Sequence, residues 1–270
     1  MRDDWKFADD AEIAAIKERT WFYEFELPDG SRTKTNLLDE VRLIHTSRRD
    51  KLRRIVQRHV TRAETLTALD LASHEGYFSI ELARHFLHVR GLDYRAEHID
   101  AARLIAGGLG VKNISFERAD LQSMQFDEAL CADFVLVFGL LYHLEDPVHT
   151  IRLACKLARQ HILIETQVFP FDISGRMEEG YYQWQHNVEG VFGLVGDNPT
   201  IGTGGSSDLA LVPSLNALVY LVKHFGFETL EIVEPDAADY EQFQRGSRVI
   251  IYGCKPWPPC ETMTPATPQR

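Results

Sequence analysis

The stretch Leu69-Asp70-Leu71-Ala72-Ser73-His74-Glu75-Gly76-Tyr77-Phe78 decides how this chain folds. It closes a short apolar run at 66–72, turns through small and polar residues, and opens a helical pattern at 78–87 carrying Ile80, Leu82, Ala83, Phe86 and Leu87. Outward from it the same alternation repeats. Residues 88–92 are a second apolar run ending at Asp93, 96–109 a second helix, and 114–117 a third strand followed by Asp120. Phe134-Val135-Leu136-Val137-Phe138 carries no charge and reads as a central strand buried on both faces. A helix at 147–158 and the strand 161–165 complete the rhythm. Strands alternating with helices predict an α/β fold, a parallel sheet with helices on both faces.

The flanks depart from this rhythm. Residues 9–20 read as a short helix and 21–27 as an aromatic, strand-like segment before the turn Pro28-Asp29-Gly30. Residues 37–60 read as one or two helices, with Leu52, Ile55, Val56, His59 and Val60 in a stripe and the arginines mainly opposite. Together 1–62 are expected to form an N-terminal helical lid on a domain spanning 63–255. Residues 166–212 read as a substrate-binding insertion without regular structure, with aromatics and then a glycine-rich stretch at 193–205. The segment 201–208 (IGTGGSSD) reads as a flexible linker. A helix at 213–225 precedes strands at 228–233 and 248–254, whose short connection predicts an antiparallel pair. The proline-rich tail 256–270 is expected to be disordered.

Composition narrows the class. The 270 residues hold 29 Lys+Arg against 40 Asp+Glu, a net charge of −11, which argues against indiscriminate nucleic-acid binding. The charge is uneven. Between Arg42 and Arg62 eight basic residues face one acid, Asp50, a local +7 that leaves −18 elsewhere. No stretch approaches the roughly 18 apolar residues of a membrane span, and the polar, acidic N-terminus does not read as a signal peptide. The cysteines Cys131, Cys155, Cys254 and Cys260 show no metal-type spacing and read as reduced thiols of a cytoplasmic protein. His85 and His88 have no evident third partner, so no metal is expected.

The first turn has a single glycine, Gly76, where a dinucleotide fingerprint needs three, and the chain has no GK[ST] loop. What remains is an ordered set of acids after the strands: Asp70, Asp93 and Asp120, followed by Phe138-Gly139-Leu140-Leu141-Tyr142-His143-Leu144 after the central strand. This set resembles the class I S-adenosylmethionine (SAM)-dependent methyltransferases, with Ala72 standing at the family's usual first glycine. The resemblance implies a Rossmann-like, seven-stranded, mostly parallel sheet whose last strand pair is antiparallel. It implies SAM as cofactor and S-adenosylhomocysteine as product. Cofactor contacts would fall on Asp70, Ala72, Ser73, Glu75, Gly76, Tyr77, Asp93, Tyr94, Asp120, Leu121, Phe138 and Gly139. Asp93 would take the ribose hydroxyls, as an acceptor-only carboxylate does well, and Asp120 the adenine amino group.

The phrases WFYEFELPDG, GLLYHLEDP and VPSLNAL also resemble the tRNA wobble-uridine methyltransferase-like branch, which holds small-molecule O-methyltransferases as well. His143 is the candidate general base, or alternatively a cap for the helix at 147. Tyr142, Tyr181, Tyr182, Trp184 and His186 are candidate substrate contacts. Full proton transfer from a phenol of pKa ~10 to a histidine near 6.5 costs about 5 kcal/mol, and from an alcohol near 16 about 13 kcal/mol, so an acidic hydroxyl suits such a base. The expected function is methyl transfer to an oxygen, or less readily a nitrogen, of a small biosynthetic molecule. Two alternatives stand: a tRNA methyl- or carboxymethyl-transferase, motivated by the basic helix, and a silent SAM-binding protein. A homodimer is compatible with either.

Overall fold

The computed structural model of the chain describes residues 10–179, 184–197 and 207–256. It opens with helix α1 (Asp10–Glu18), the short strands β1 (Thr20–Trp21) and β2 (Lys34–Thr35), and one unbroken helix α2 (Asp39–His59). The expected alternation follows: β3 (Thr67–Leu71), α3 (Tyr77–Ala83), β4 (His88–Asp93), α4 (Ala96–Gly108), β5 (Ile114–Arg118), β6 (Ala132–Phe138), α5 (Pro147–Leu157) and β7 (Ala158–Gln167). Two hairpins come next, β8 (Gly175–Glu179) with β9 (Trp184–Val188), and β10 (Phe192–Gly196) with β11 (Leu209–Pro213). Helix α6 (Leu215–His224), β12 (Thr229–Ile232), the single turn α7 (Glu241–Gln244) and β13 (Arg248–Cys254) close the chain.

The main sheet has seven strands in the order β12-β13-β7-β6-β3-β4-β5. Strands β3 to β7 run parallel, whereas β13 is antiparallel to both of its neighbours. Strand order reverses between β3 and β6, and such a switch point opens a crevice at the carboxyl ends of the strands. Phe134, Val135, Leu136 and Val137 on β6 are all buried, which is why that strand shows no polar alternation. Helix starts follow local chemistry. Asp146 accepts from the His149 N–H ahead of Pro147, and Ser214 accepts from the Ala217 N–H at the head of α6. Asp146, not His143, therefore caps α5.

One expectation needs correction. Residues 166–212 are not without regular structure. They carry β8 to β11, and Leu211 N–H of β11 donates to the Leu144 carbonyl, tying the second hairpin to the segment that follows β6. The basic residues of α2 are ion-paired, although Arg54 and Arg58 remain exposed. Arg42, Arg48, Arg49, Lys51, Arg53, Arg54 and Arg58 each meet a carboxylate: Glu24, Glu165, Asp50, Asp239, Glu81, Asp236 and Glu231 respectively. Leu52, Ile55 and Val56 of the same helix share a core with Phe134, Ile250 and Tyr252 of the sheet. The +7 of the sequence is thus spent largely within the fold.

Candidate active site

A cavity of about 170 Å³ lies over the carboxyl ends of β3, β4, β5 and β6. Its first wall is the turn after β3. Ala72 and His74 both adopt positive φ, 65° and 49°. Side chains carry some strain there, so the turn needs anchors. Ser73 N–H donates to the Leu92 carbonyl at 2.8 Å, and His74 N–H donates to Asp93 Oδ2 at 2.8 Å. The turn is thereby clamped to the end of β4.

Asp93 is the hub of this wall. Its Oδ1 accepts from the Arg95 N–H at 2.9 Å and meets His98 Nδ1 at 3.0 Å. Burial pushes its carboxyl up, but His98 and the backbone donors outweigh this and hold it below the usual range. A carboxylate oxygen accepts about two bonds, so Oδ2 keeps a position free beside His74 N–H. The His74 ring stacks on His98 with centroids 3.7 Å apart. Asp120 follows β5, its Oδ1 accepting from the Gln122 N–H at 3.1 Å and its Oδ2 from Ser123 Oγ at 2.9 Å.

The opposite wall follows β6. Gly139, at φ 68°, turns the chain into the short helical turn Leu141–His143. A side chain on Gly139 would come within 3.5 Å of the Arg48 guanidinium. His143 faces the cavity and its Nδ1 lies 2.8 Å from Asp197 Oδ2, at the end of β10. Burial lowers the His143 pKa, and the Asp197 carboxylate opposes that shift. Behind Tyr142, the fully buried Glu165 is shared between Arg48 at 2.9 Å and Arg248 at 2.5 Å. Arg248 also donates to Tyr142 Oη at 3.4 Å and lies over its ring. Phe22 and Tyr23, from the N-terminal segment, complete the enclosure.

Several expected residues gather here. Ala72, Asp93, Tyr94, Asp120, Leu121, Phe138, Gly139, Tyr142 and His143 all line the cavity. Asp70, Ser73, Glu75, Gly76 and Tyr77 do not, and the reasons are physical. Asp70 points into the core, bonded by Ser79 Oγ at 2.5 Å, and burial raises its pKa to about 7. Ser73 is buried within the turn. Glu75 accepts from the Phe22 and Tyr23 N–H groups at 2.9 and 3.2 Å, so it straps the N-terminal segment to the turn. Gly76 is required by its φ of 79° and by the Phe116 ring, which a Cβ would approach to 2.8 Å. Tyr77 stacks on Tyr23 at 4.8 Å.

Tyr181 and Tyr182 lie outside the described residues. Trp184 and His186 both belong to β9, and His186 is exposed and away from the described cavity wall. Sequence reasoning missed Phe22, Tyr23, Arg48, His98, Asp197 and Arg248. Only His98 had a local signal, five residues after Asp93 in the first turn of α4. The others come from distant parts of the chain. Among the described residues no group of three His, Cys, Asp or Glu is arranged to hold a metal, and no helix is long and apolar enough to cross a membrane.

The donor set fits a nucleoside cofactor. Asp93 offers an open acceptor position for hydroxyls, Asp120 a second carboxylate one strand away, and Leu121 and Phe138 apolar surface. The comparisons agree. A family model described as a methyltransferase domain matches residues 63–195. Among solved structures, the N-terminal domain of EvdMO1 with S-adenosylhomocysteine bound superposes with a TM-score of 0.70 at 21% identity, covering 93% of this chain and 98% of that one. The same domain in the presence of S-adenosylhomocysteine and D-fucose gives 0.68 at 22%, with the same coverage. Magnesium protoporphyrin IX methyltransferase of Synechocystis PCC 6803, with bound S-adenosylhomocysteine, gives 0.54 at 15%, covering 80% of this chain and 86% of that one. No curated protein matches the chain in sequence. Over residues 63–195 the chain matches a methyltransferase domain, and its fold is similar to that of structures holding S-adenosylhomocysteine.

Proposed function

We propose that the protein transfers a methyl group from SAM to a hydroxyl oxygen of a small-molecule acceptor, with His143 as general base. The observation that carries this reading is the 2.8 Å contact between His143 Nδ1 and Asp197 Oδ2 at the cavity wall. A carboxylate on Nδ1 selects the tautomer that carries its proton there and leaves Nε2 as the acceptor. The lowered pKa keeps the ring neutral at neutral pH, and Asp197 stabilises the imidazolium formed as the acceptor's proton arrives.

Bound SAM supplies an electrophilic methyl group on a sulfonium. The chain's task is then to align the acceptor, exclude water and hold the released proton on His143. Phe22 and Tyr23 close the cavity on the N-terminal side, and Tyr142 forms the floor beside His143. An acceptor that is already ionised needs no base, so the dyad favours a neutral, acidic hydroxyl. The EvdMO1 domain studied with D-fucose makes sugar hydroxyls worth including among candidates. Intramolecular pairing of the α2 cations weighs against RNA as the acceptor.

The test is turnover of methyl-labelled SAM against a panel of phenols, enols, sugars and bulk tRNA, with isothermal calorimetry of S-adenosylhomocysteine alongside. Product from a hydroxyl acceptor, lost in His143→Ala while S-adenosylhomocysteine still binds, is the expected outcome. Turnover on tRNA alone would replace this reading with the RNA one.

A further inference from the structure

We propose that Arg48 is the recognition point for a carboxylate at the acceptor-side end of the cavity. The proposal rests on the methyltransferase reading of the cavity and adds the charge class of a group bound there. The Arg48, Glu165 and Arg248 side chains are at most 6% exposed, and the two guanidiniums share a single carboxylate. The cluster therefore holds one positive charge in excess. A buried charge without a counter-ion is costly, and the cost is relieved when an anion arrives.

The neighbouring groups do not supply that anion. Burial and Arg48 push His45, on the next turn back along α2, down to about 2, so it stands neutral beside the guanidinium. Asp197 is committed to His143, and Asp93 to His98 and backbone N–H groups. Tyr142 Oη faces Arg248. Arg48 has its Nε buried with no hydrogen-bond partner, while the residue lines the cavity. Gly139 leaves open the space that a Cβ would take at 3.5 Å from both Arg48 Nη atoms. A planar guanidinium with its Nε unpartnered, in a buried wall, is suited to a planar carboxylate.

That carboxylate has two possible sources, the amino-acid end of the methyl donor or the acceptor itself, and one experiment separates them. Calorimetry would compare S-adenosylhomocysteine with its decarboxylated analogue, and benzoate with neutral benzamide, on wild type and Arg48→Gln. Benzoate is titrated into both free and S-adenosylhomocysteine-loaded protein. If the donor's carboxylate sits on Arg48, Arg48→Gln loses at least tenfold in affinity for S-adenosylhomocysteine and less than twofold for the decarboxylated analogue. If the acceptor's sits there, S-adenosylhomocysteine binding is unchanged. Benzoate then binds wild type in preference to benzamide, and Arg48→Gln loses that preference tenfold or more.

Arg248 still pairs with Glu165 in Arg48→Gln, so the fold is retained, and a melting curve checks this. Arg48→Lys restores part of the lost binding. Neither preference on wild type, or equal effects on charged and neutral ligands, overturns the proposal. Failure of wild type to bind S-adenosylhomocysteine would instead strike the cofactor assignment, and the benzoate titration of the free protein would still decide Arg48.

Discussion

At one end of the cavity, Asp93 and Asp120 stand at the ends of neighbouring parallel strands, held by N–H groups of the adjoining strand-end turns. At the other end, His143 takes its partner from β10, and Glu165 takes its two from α2 and β13. The first end is assembled from local turns, each next to the strand it terminates. The second is assembled across the fold, by buried charges whose partners are far apart in the chain. Local construction suits a cofactor shared by many enzymes, because the turn geometry by itself presents the acceptors. Long-range construction would suit the substrate side of the proposed reaction, since hairpin β10–β11 and the N-terminal segment can vary without disturbing the strand-end turns.

This contrast can be broken by substitution. The largest effect is expected from His143→Ala, which should lower kcat roughly 100- to 10,000-fold while leaving S-adenosylhomocysteine affinity within twofold. Equal loss of binding would mean that the two ends are not separable. Next comes Asp70→Asn, a probe of the core beneath the donor end. Burial lifts the Asp70 carboxyl from 3.8 to about 7. The folded state then holds a proton that the unfolded state releases, and stability falls as pH rises from about 4 to 7. At roughly 1.4 kcal/mol per unit the cost reaches at most about 4 kcal/mol by pH 8. Asp70→Asn should remove that slope, so melting temperatures should diverge from wild type only above about pH 5. Parallel curves for the two proteins would refute the account.

Asp93→Ala should weaken S-adenosylhomocysteine binding about 100-fold, some 3 kcal/mol, since it removes both the open acceptor and the clamp on His74 N–H. A smaller effect is expected at Asp197→Asn, about tenfold in kcat. The Asp197 charge raises the His143 pKa, so its loss should move the acid limb of the rate profile to lower pH. A shift upward would show that the dyad is wrongly drawn. Smallest of all is Ala72→Gly, which relieves a φ of 65° and should stabilise by about 1 kcal/mol or less in chemical denaturation, with cofactor affinity preserved.

The donor end was legible because strand-end acids are read against an apolar period of a few residues. Asp93 and Asp120 stand where the β-runs stop, and the uncharged 134–138 identifies the sheet centre. The family resemblance assigned Asp70, Glu75 and Gly76 to the cofactor as well. A carboxylate after a strand looks alike in sequence whether it points into the cavity or, like Asp70, toward a buried serine. The bonds of Glu75 went unread for a similar reason, since its partners, Phe22 and Tyr23, lie more than fifty residues earlier.

Sequence by itself determined the alternation of elements, the parallel core and the antiparallel final pair. Those follow from periodicity and local turn chemistry, which need only near neighbours. Tertiary structure alone decided that the basic stretch 42–62 is a charge-paired covering helix, that residues 166–212 supply hairpins, and that His143 is oriented by Asp197. Ion pairs and buried hydrogen bonds are contacts through space. The pairing of Arg48 and Arg248 on Glu165, and of Asp197 on His143, exists only once α2, β10 and β13 have packed against the sheet.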